Sequence, residues 1–174
     1  KDVVEEEIDI IRALGVEIKC GVEVGKDITL DELRKDGYEA FYIAIGCQGS
    51  RKSGVAGEDA DGVMSAVDIL HEIAENHDLD LKGNKTVVIG GGNVAVDVAR
   101  STKRCGADVL GMFCLESREE MPASEEEIFE TEDEGIQINN GWGVKEILAE
   151  NGKVTGVVLK KCTSVKDADG KFNP

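Results

Sequence analysis

The residues with the types and spacing to do chemistry lie in TVVIGGGNVAVDVAR, residues 86–100. This stretch gives G-x-G-x-x-A at Gly90, Gly92 and Ala95, directly after a β-branched run and directly before a helical pattern. Each type has a physical task. Gly90 permits a tight strand-to-helix turn, Gly92 has no side chain to keep a pyrophosphate away, and Ala95 lets the helix lie close on the strand. Gly91, Asn93 and Val94 complete the turn, where a helix N-terminus offers free N–H groups and its positive dipole end to phosphates. The following run, Asp108–Leu115, reads as the next strand and leads into Glu116, 21 residues past Ala95. An acid there receives hydrogen bonds from the adenosine ribose hydroxyls. Ser117 and Arg118 come next and are expected at the adenosine end. A glycine fingerprint alone is weak evidence, since a mobile turn and an unrelated surface Glu would carry the same letters. The strand before it, the helix after it and the acid at the end of the second strand together point to dinucleotide binding.

The elements that must position this turn are legible as periodicities. Residues 86–89 form a short buried strand, Asn93–Arg104 a helix with Val94, Ala95, Val98 and Ala99 on one face, and Gly106 its stop. Ser124-Glu125-Glu126-Glu127 reads as a capping box opening an acidic helix to about Glu134. Residues 136–139, 144–149 and 154–162 follow as strands in meander order, the last two joined by the hairpin dipeptide Asn151-Gly152. Upstream, residues 2–14 carry a helical stripe (Val3, Val4, Ile8, Ile11, Leu14), and Val16–Cys20 reads as a short strand. Thr29-Leu30-Asp31-Glu32 is a first capping box, and Tyr38–Ile45 a continuous run suited to a buried strand. The glycine-rich stretch 46–62 reads as a connector between lobes, and Ser65 to about Asn76 as a helix. The pattern is that of an α/β protein.

Composition narrows the function classes. The chain has 174 residues, with 20 Lys+Arg against 36 Asp+Glu and a formal net charge of −16. Nucleic acid is excluded as a partner, because phosphate backbones are held by Lys and Arg. At 41% apolar and 32% charged, this is the balance of an ordinary folded protein. No apolar run approaches the ~18 residues that span a bilayer, so no membrane role is expected and the reading is cytoplasmic. Cys20, Cys47, Cys105, Cys114 and Cys162 are odd in number and scattered, unlike a disulfide framework or a metal ligand set. His71 and His77 have no partners at ligand spacing. The acids between Glu125 and Glu134 lack the Asp/Asn-and-Gly loop of a calcium site and read as a solvated helix face. Trp142, between two glycines, reads as a core or hairpin-edge residue rather than a ring-stacking one.

The run YEAFYIAIGCQGSRKSGVAGEDADGV, then VVIGGGNVAVDVAR, then SREEMPAS resembles the small (beta) subunit of glutamate synthase and its flavoprotein relatives in the pyridine nucleotide-disulfide oxidoreductase group. The resemblance covers nearly the whole chain. It implies a Rossmann-like three-layer nucleotide-binding domain with a β-meander, inserted into an FAD domain. Residues 1–60 would be the C-terminal part of the first FAD segment with its connector, and 61–174 the NAD(P)-binding domain. Ala44-Ile45-Gly46 would match the motif beside the flavin. Hydride would pass from NAD(P)H to FAD and on to an iron–sulfur or other redox partner domain or subunit, with no catalytic side chain and no metal ligand in this chain. Lys1 in place of Met and the helical stripe from the first turn read as a piece of a longer enzyme, expected to be colourless and inactive alone. Members that use NADPH often carry paired arginines after the second strand. Leu115-Glu116 stands there in this chain, which implies NADH over NADPH, with Arg118 as the remaining phosphate contact. The alternative from another class is a non-catalytic NAD(H)-sensing domain built on the same turn.

Overall fold

The computed structural model describes residues 2–76 and 78–174, so His77 lies outside the described residues. The chain divides into two compact units, Lys1–Gly46 and Cys47–Pro174.

The first unit holds α1 (Asp2–Ala13) and α2 (Leu30–Lys35). The capping box at Thr29 is complete: its hydroxyl accepts from the Glu32 N–H, and the Glu32 carboxylate accepts from the Thr29 N–H at 2.8 Å. Gly15 and Gly37, both in the left-handed region, terminate the two helices. Val16–Cys20 and Tyr38–Ile45 are not strands. Both runs have strand composition, but a strand exists only where a neighbour takes its N–H and C=O groups. No partner strand stands beside either run among the described residues, and Tyr42, Ile43 and Ile45 are exposed. The apolar stripe of α1 is likewise solvent-facing, with no buried residue on the helix.

The second unit is built on a parallel sheet of β1 (Lys85–Ile89), β2 (Asp108–Cys114) and β3 (Ile138–Asn140), in the order β1-β2-β3. The crossovers are α4 (Asn93–Arg104) and α5 (Glu125–Asp133), giving β-α-β-α-β. α3 (Ala66–Glu75), capped by Ser65, contributes Ile69 to the core. That core joins Val88, Val96, Val98, Ala99, Met112 and Ile128, so it lies between the sheet and the helices. Val94, expected on the buried face of α4, is half-exposed, and Val96 takes the fully buried position. The three C-terminal strands do not form one meander. β3 joins the parallel sheet, while β4 (Trp142–Glu150) and β5 (Lys153–Lys161) make a separate antiparallel hairpin. Asn151 and Gly152 both have positive φ, as a two-residue hairpin turn of the right twist requires. Asp61 bonds this hairpin on both sides, its N–H to Gly152 O and its carbonyl to the Val154 N–H. Among the described residues no helix is long and apolar enough to cross a membrane.

The acids of α5 are largely engaged. Arg100, on α4, meets Glu127, Glu130 and Glu134, and Glu134 also takes Arg104. The Arg104 guanidinium, and then Arg100, hold the Glu134 carboxyl below the ordinary carboxylate range. A depressed native pKa adds stability that is present above the unfolded value of about 4.3 and lost as pH falls through the native value. The melting temperature of Glu134→Gln should therefore lie below that of the parent at neutral pH and converge with it in acid. Parallel curves from pH 7 down to pH 3 would rule out this ion pair as a contributor.

Candidate functional site

The site is the turn from β1 into α4. Gly90 has φ of 136°, a conformation that a side chain would resist, and a Cβ there would lie 3.2 Å from the Cβ of Ala95. The close approach of helix to strand therefore needs both small residues. Gly91 is buried and is the tightest position of the turn. A Cβ on it would sit 3.0 Å from the Cβ of Cys114 and 3.1 Å from Oε2 of Glu116. Gly92 is the opposite case: with φ of −91°, it has nothing within 4 Å of a Cβ. The space in front of it is open to a ligand.

Helices α2, α3 and α5 are closed at their N-termini by the side chains of Thr29, Ser65 and Ser124. α4 begins at Gly92 with no side-chain cap. The backbone N–H groups of Gly91, Gly92, Asn93 and Val94 have no hydrogen-bond partner among the described residues. Consecutive free donors at the positive end of a helix dipole bind an oxyanion, and an acidic protein can hold a diphosphate there because the local field decides.

Glu116 lies just past β2, with its carboxylate reaching over Gly91. Its backbone is fixed by the Gly141 N–H, which donates to Glu116 O at 3.0 Å. A carboxylate beside a phosphate-binding turn accepts hydrogen bonds from vicinal hydroxyls, as a ribose offers. Ser117 is committed to a local turn, its hydroxyl donating to Glu120 and accepting the Glu120 N–H. Arg118 turns toward α5, where Nη2 meets Glu132 at 3.4 Å; its Nη1 is shielded from solvent with no partner among the described residues. Beside Glu116 a cavity of about 450 Å³ is lined also by Glu120, Pro122, Ser164, Val165 and Lys166. Spacing gave no hint of the 164–166 wall, since it arrives through the hairpin. Cys114, under the turn, is buried and accepts from Asn140 Nδ2 at 3.2 Å. Burial, then the Glu116 carboxylate, pushes its thiol up, so it is packing rather than a nucleophile.

The structure thus brings Gly90, Gly91, Gly92, Asn93, Val94, Ala95 and Glu116 together, with Ser117 and Arg118 on the adjoining loop. Ala44, Ile45 and Gly46 lie in the first unit, exposed and outside any strand. His71 is exposed on α3 and faces Glu75 at 3.4 Å. Trp142 opens β4 under the Lys161 ammonium, 4.7 Å from its ring centre. One prediction follows from the tight position. Gly91→Ala should overpack Cys114 and displace the Glu116 carboxylate, lowering stability by ~1–3 kcal/mol. An unchanged thermal transition would refute that packing.

Similarity to named oxidoreductases runs along the whole chain. The chain is 37% identical over its whole length to the NADP(+)-dependent formate dehydrogenase subunit beta of Moorella thermoacetica, covering 25% of that protein. It is 32% identical over 98% of its length to the glutamate synthase [NADPH] small chain of Escherichia coli (strain K12), covering 38% of that one. It is 34% identical over its whole length to the NADPH-Fe(3+) oxidoreductase subunit beta of Geobacter sulfurreducens (strain DL-1 / KN400), covering 26%. The chain therefore spans well under half of these relatives. The family model described as pyridine nucleotide-disulphide oxidoreductase matches residues 3–172, and with the dinucleotide-type turn standing within that span, the chain belongs to this family.

Proposed function

We propose that the second unit binds a nicotinamide dinucleotide through the 90–95 turn, with Glu116 on the adenosine ribose. The uncapped N-terminus of α4, opening onto free space in front of Gly92, carries this reading. Gly90 and Gly91 hold the turn by close packing, and Gly92 leaves the space that the pyrophosphate must enter. Titration calorimetry with NADH and NADPH tests it directly, and a chain that takes up neither dinucleotide would overturn it.

Within the longer polypeptide, residues 1–60 are proposed as part of the FAD domain, with Ala44-Ile45-Gly46 beside the flavin, and 61–174 as the NAD(P)-binding domain. When bound, the nicotinamide would supply a hydride for the flavin, whose electrons would go on to an iron–sulfur or other redox partner. This chain's own residues bind and orient the dinucleotide and give no acid or base. The setting is proposed to be cytoplasmic. These relatives carry NADP(+) or NADPH in their names. In this chain a carboxylate rather than a cation stands just past β2, and Arg118 is turned toward Glu132. NADH is therefore the proposed preference. A longer chain carrying the flanking segments should be yellow and reduce a dye with NADH; a colourless product would count against the flavin assignment.

A further inference from the structure

The capping box at Ser124 is only half built. The Ser124 hydroxyl accepts the Glu127 N–H at 3.3 Å, as expected. The returning half, in which the residue-127 carboxylate would take the Ser124 N–H, is missing, because Glu127 is turned to Arg100. The Ser124 N–H instead donates to Oδ1 of Asn93 at 2.9 Å. A backbone N–H can only donate, so the oxygen of the Asn93 carboxamide is fixed toward it. One residue earlier, the Ala123 N–H donates to Gly91 O at 3.0 Å. Residues 121–124 therefore lie across the glycine turn, tied to it at Gly91 and at Asn93. Met121 and Ala123 are buried in the core beneath.

We infer that Asn93 is a positioning residue for the dinucleotide turn. Its side chain replaces Glu127 in the cap of α5 and so locks the turn that presents the free N–H groups. This inference rests on the dinucleotide reading of the site. Gly91 and Gly92 are the most permissive residues for backbone motion, and a turn that must hold several donors on one anion gains from being fixed before the anion arrives. Sequence points to Asn93 as a ligand contact; the structure uses its carboxamide to join two helix starts, leaving its backbone N–H for the ligand.

Because Glu127 could leave Arg100 and complete the box once Asn93 is removed, the test is made in Glu127→Ala, where Asn93 alone can hold the Ser124 N–H. In that background the Ser124 amide should stay protected from hydrogen exchange without nucleotide, and NADH affinity should stay within about twofold of the parent. Adding Asn93→Ala should expose the Ser124 amide and weaken NADH about three- to tenfold, the loss of one neutral hydrogen bond, with the global melting transition little changed. Asn93→Asp in the same background keeps the acceptor and should restore protection of Ser124. Fast exchange of Ser124 already in Glu127→Ala would overturn the inference, as would equal exposure in the Ala and Asp variants. Lost protection with unchanged NADH affinity would overturn it too. Failure of the parent chain to bind NADH at all would refute the site reading instead, and the exchange data would still report on the clamp.

Discussion

Gly92→Val should abolish dinucleotide binding while the protein melts almost where it did before. A Cβ at this position meets nothing within 4 Å, and the backbone φ of −91° suits any residue, so the fold accepts the branched side chain. Valine is a poor N-cap, but replacing glycine also restricts the unfolded chain, and the two effects oppose each other at under about 1 kcal/mol each. For a domain of this size the melting temperature should move by no more than about 4 °C. The ligand is affected differently. The isopropyl group would stand where the diphosphate approaches the free N–H groups of α4. Losing two charge-assisted hydrogen bonds, at ~1.5–3 kcal/mol each, weakens binding roughly 100-fold or more. Titration calorimetry and thermal unfolding on one preparation measure both quantities. Near-normal NADH affinity in the variant would place the nucleotide elsewhere.

Glu116→Arg should move the cofactor preference from NADH toward NADPH. In the proposed site of the parent, the carboxylate would accept from the ribose hydroxyls of NADH. With NADPH it faces a phosphate of about −1.5 to −2 charge, which repels it and removes a hydrogen bond. A charge-assisted bond of ~1.5–3 kcal/mol corresponds to a preference for NADH of about tenfold or more. Arg118 acts in the opposite sense if it leaves Glu132 for the phosphate, and Arg118→Ala should widen the preference. The gain of Glu116→Arg with NADPH is ionic and should shrink in high salt. Dissociation constants for both nucleotides, in parent and variant at two ionic strengths, decide the matter. A parent that already prefers NADPH, or an unchanged ratio in the variant, would remove Glu116 from the ribose.

The sequence by itself determined the parts whose causes are local. The fingerprint turn, the helix Asn93–Arg104, the caps at Thr29, Ser65 and Ser124, and the Asn151-Gly152 hairpin follow from residue types within a few positions. Backbone conformation and capping act over that range. The position of Glu116 beside the turn was legible for the same reason, because a strand-helix-strand unit has a fixed span. Tertiary structure alone decided what depends on partners distant in the chain. Tyr38–Ile45 has the composition of a strand yet forms none, because hydrogen-bonded neighbours make a strand and composition cannot supply them. Residues 138–140 pair in parallel with β2 rather than in a meander. Periodicity identifies a strand but does not reveal its neighbour. The crowding at Gly91 arises from Cys114 and Glu116, and the role of Asn93 arises from Ser124. Glu127 satisfies the letters of a capping box, but Arg100 draws its carboxylate away, because an ion pair across two helices competes with the local bond. Where the deciding interaction spans some thirty residues, the sequence supplies the groups and only the fold says which of them meet.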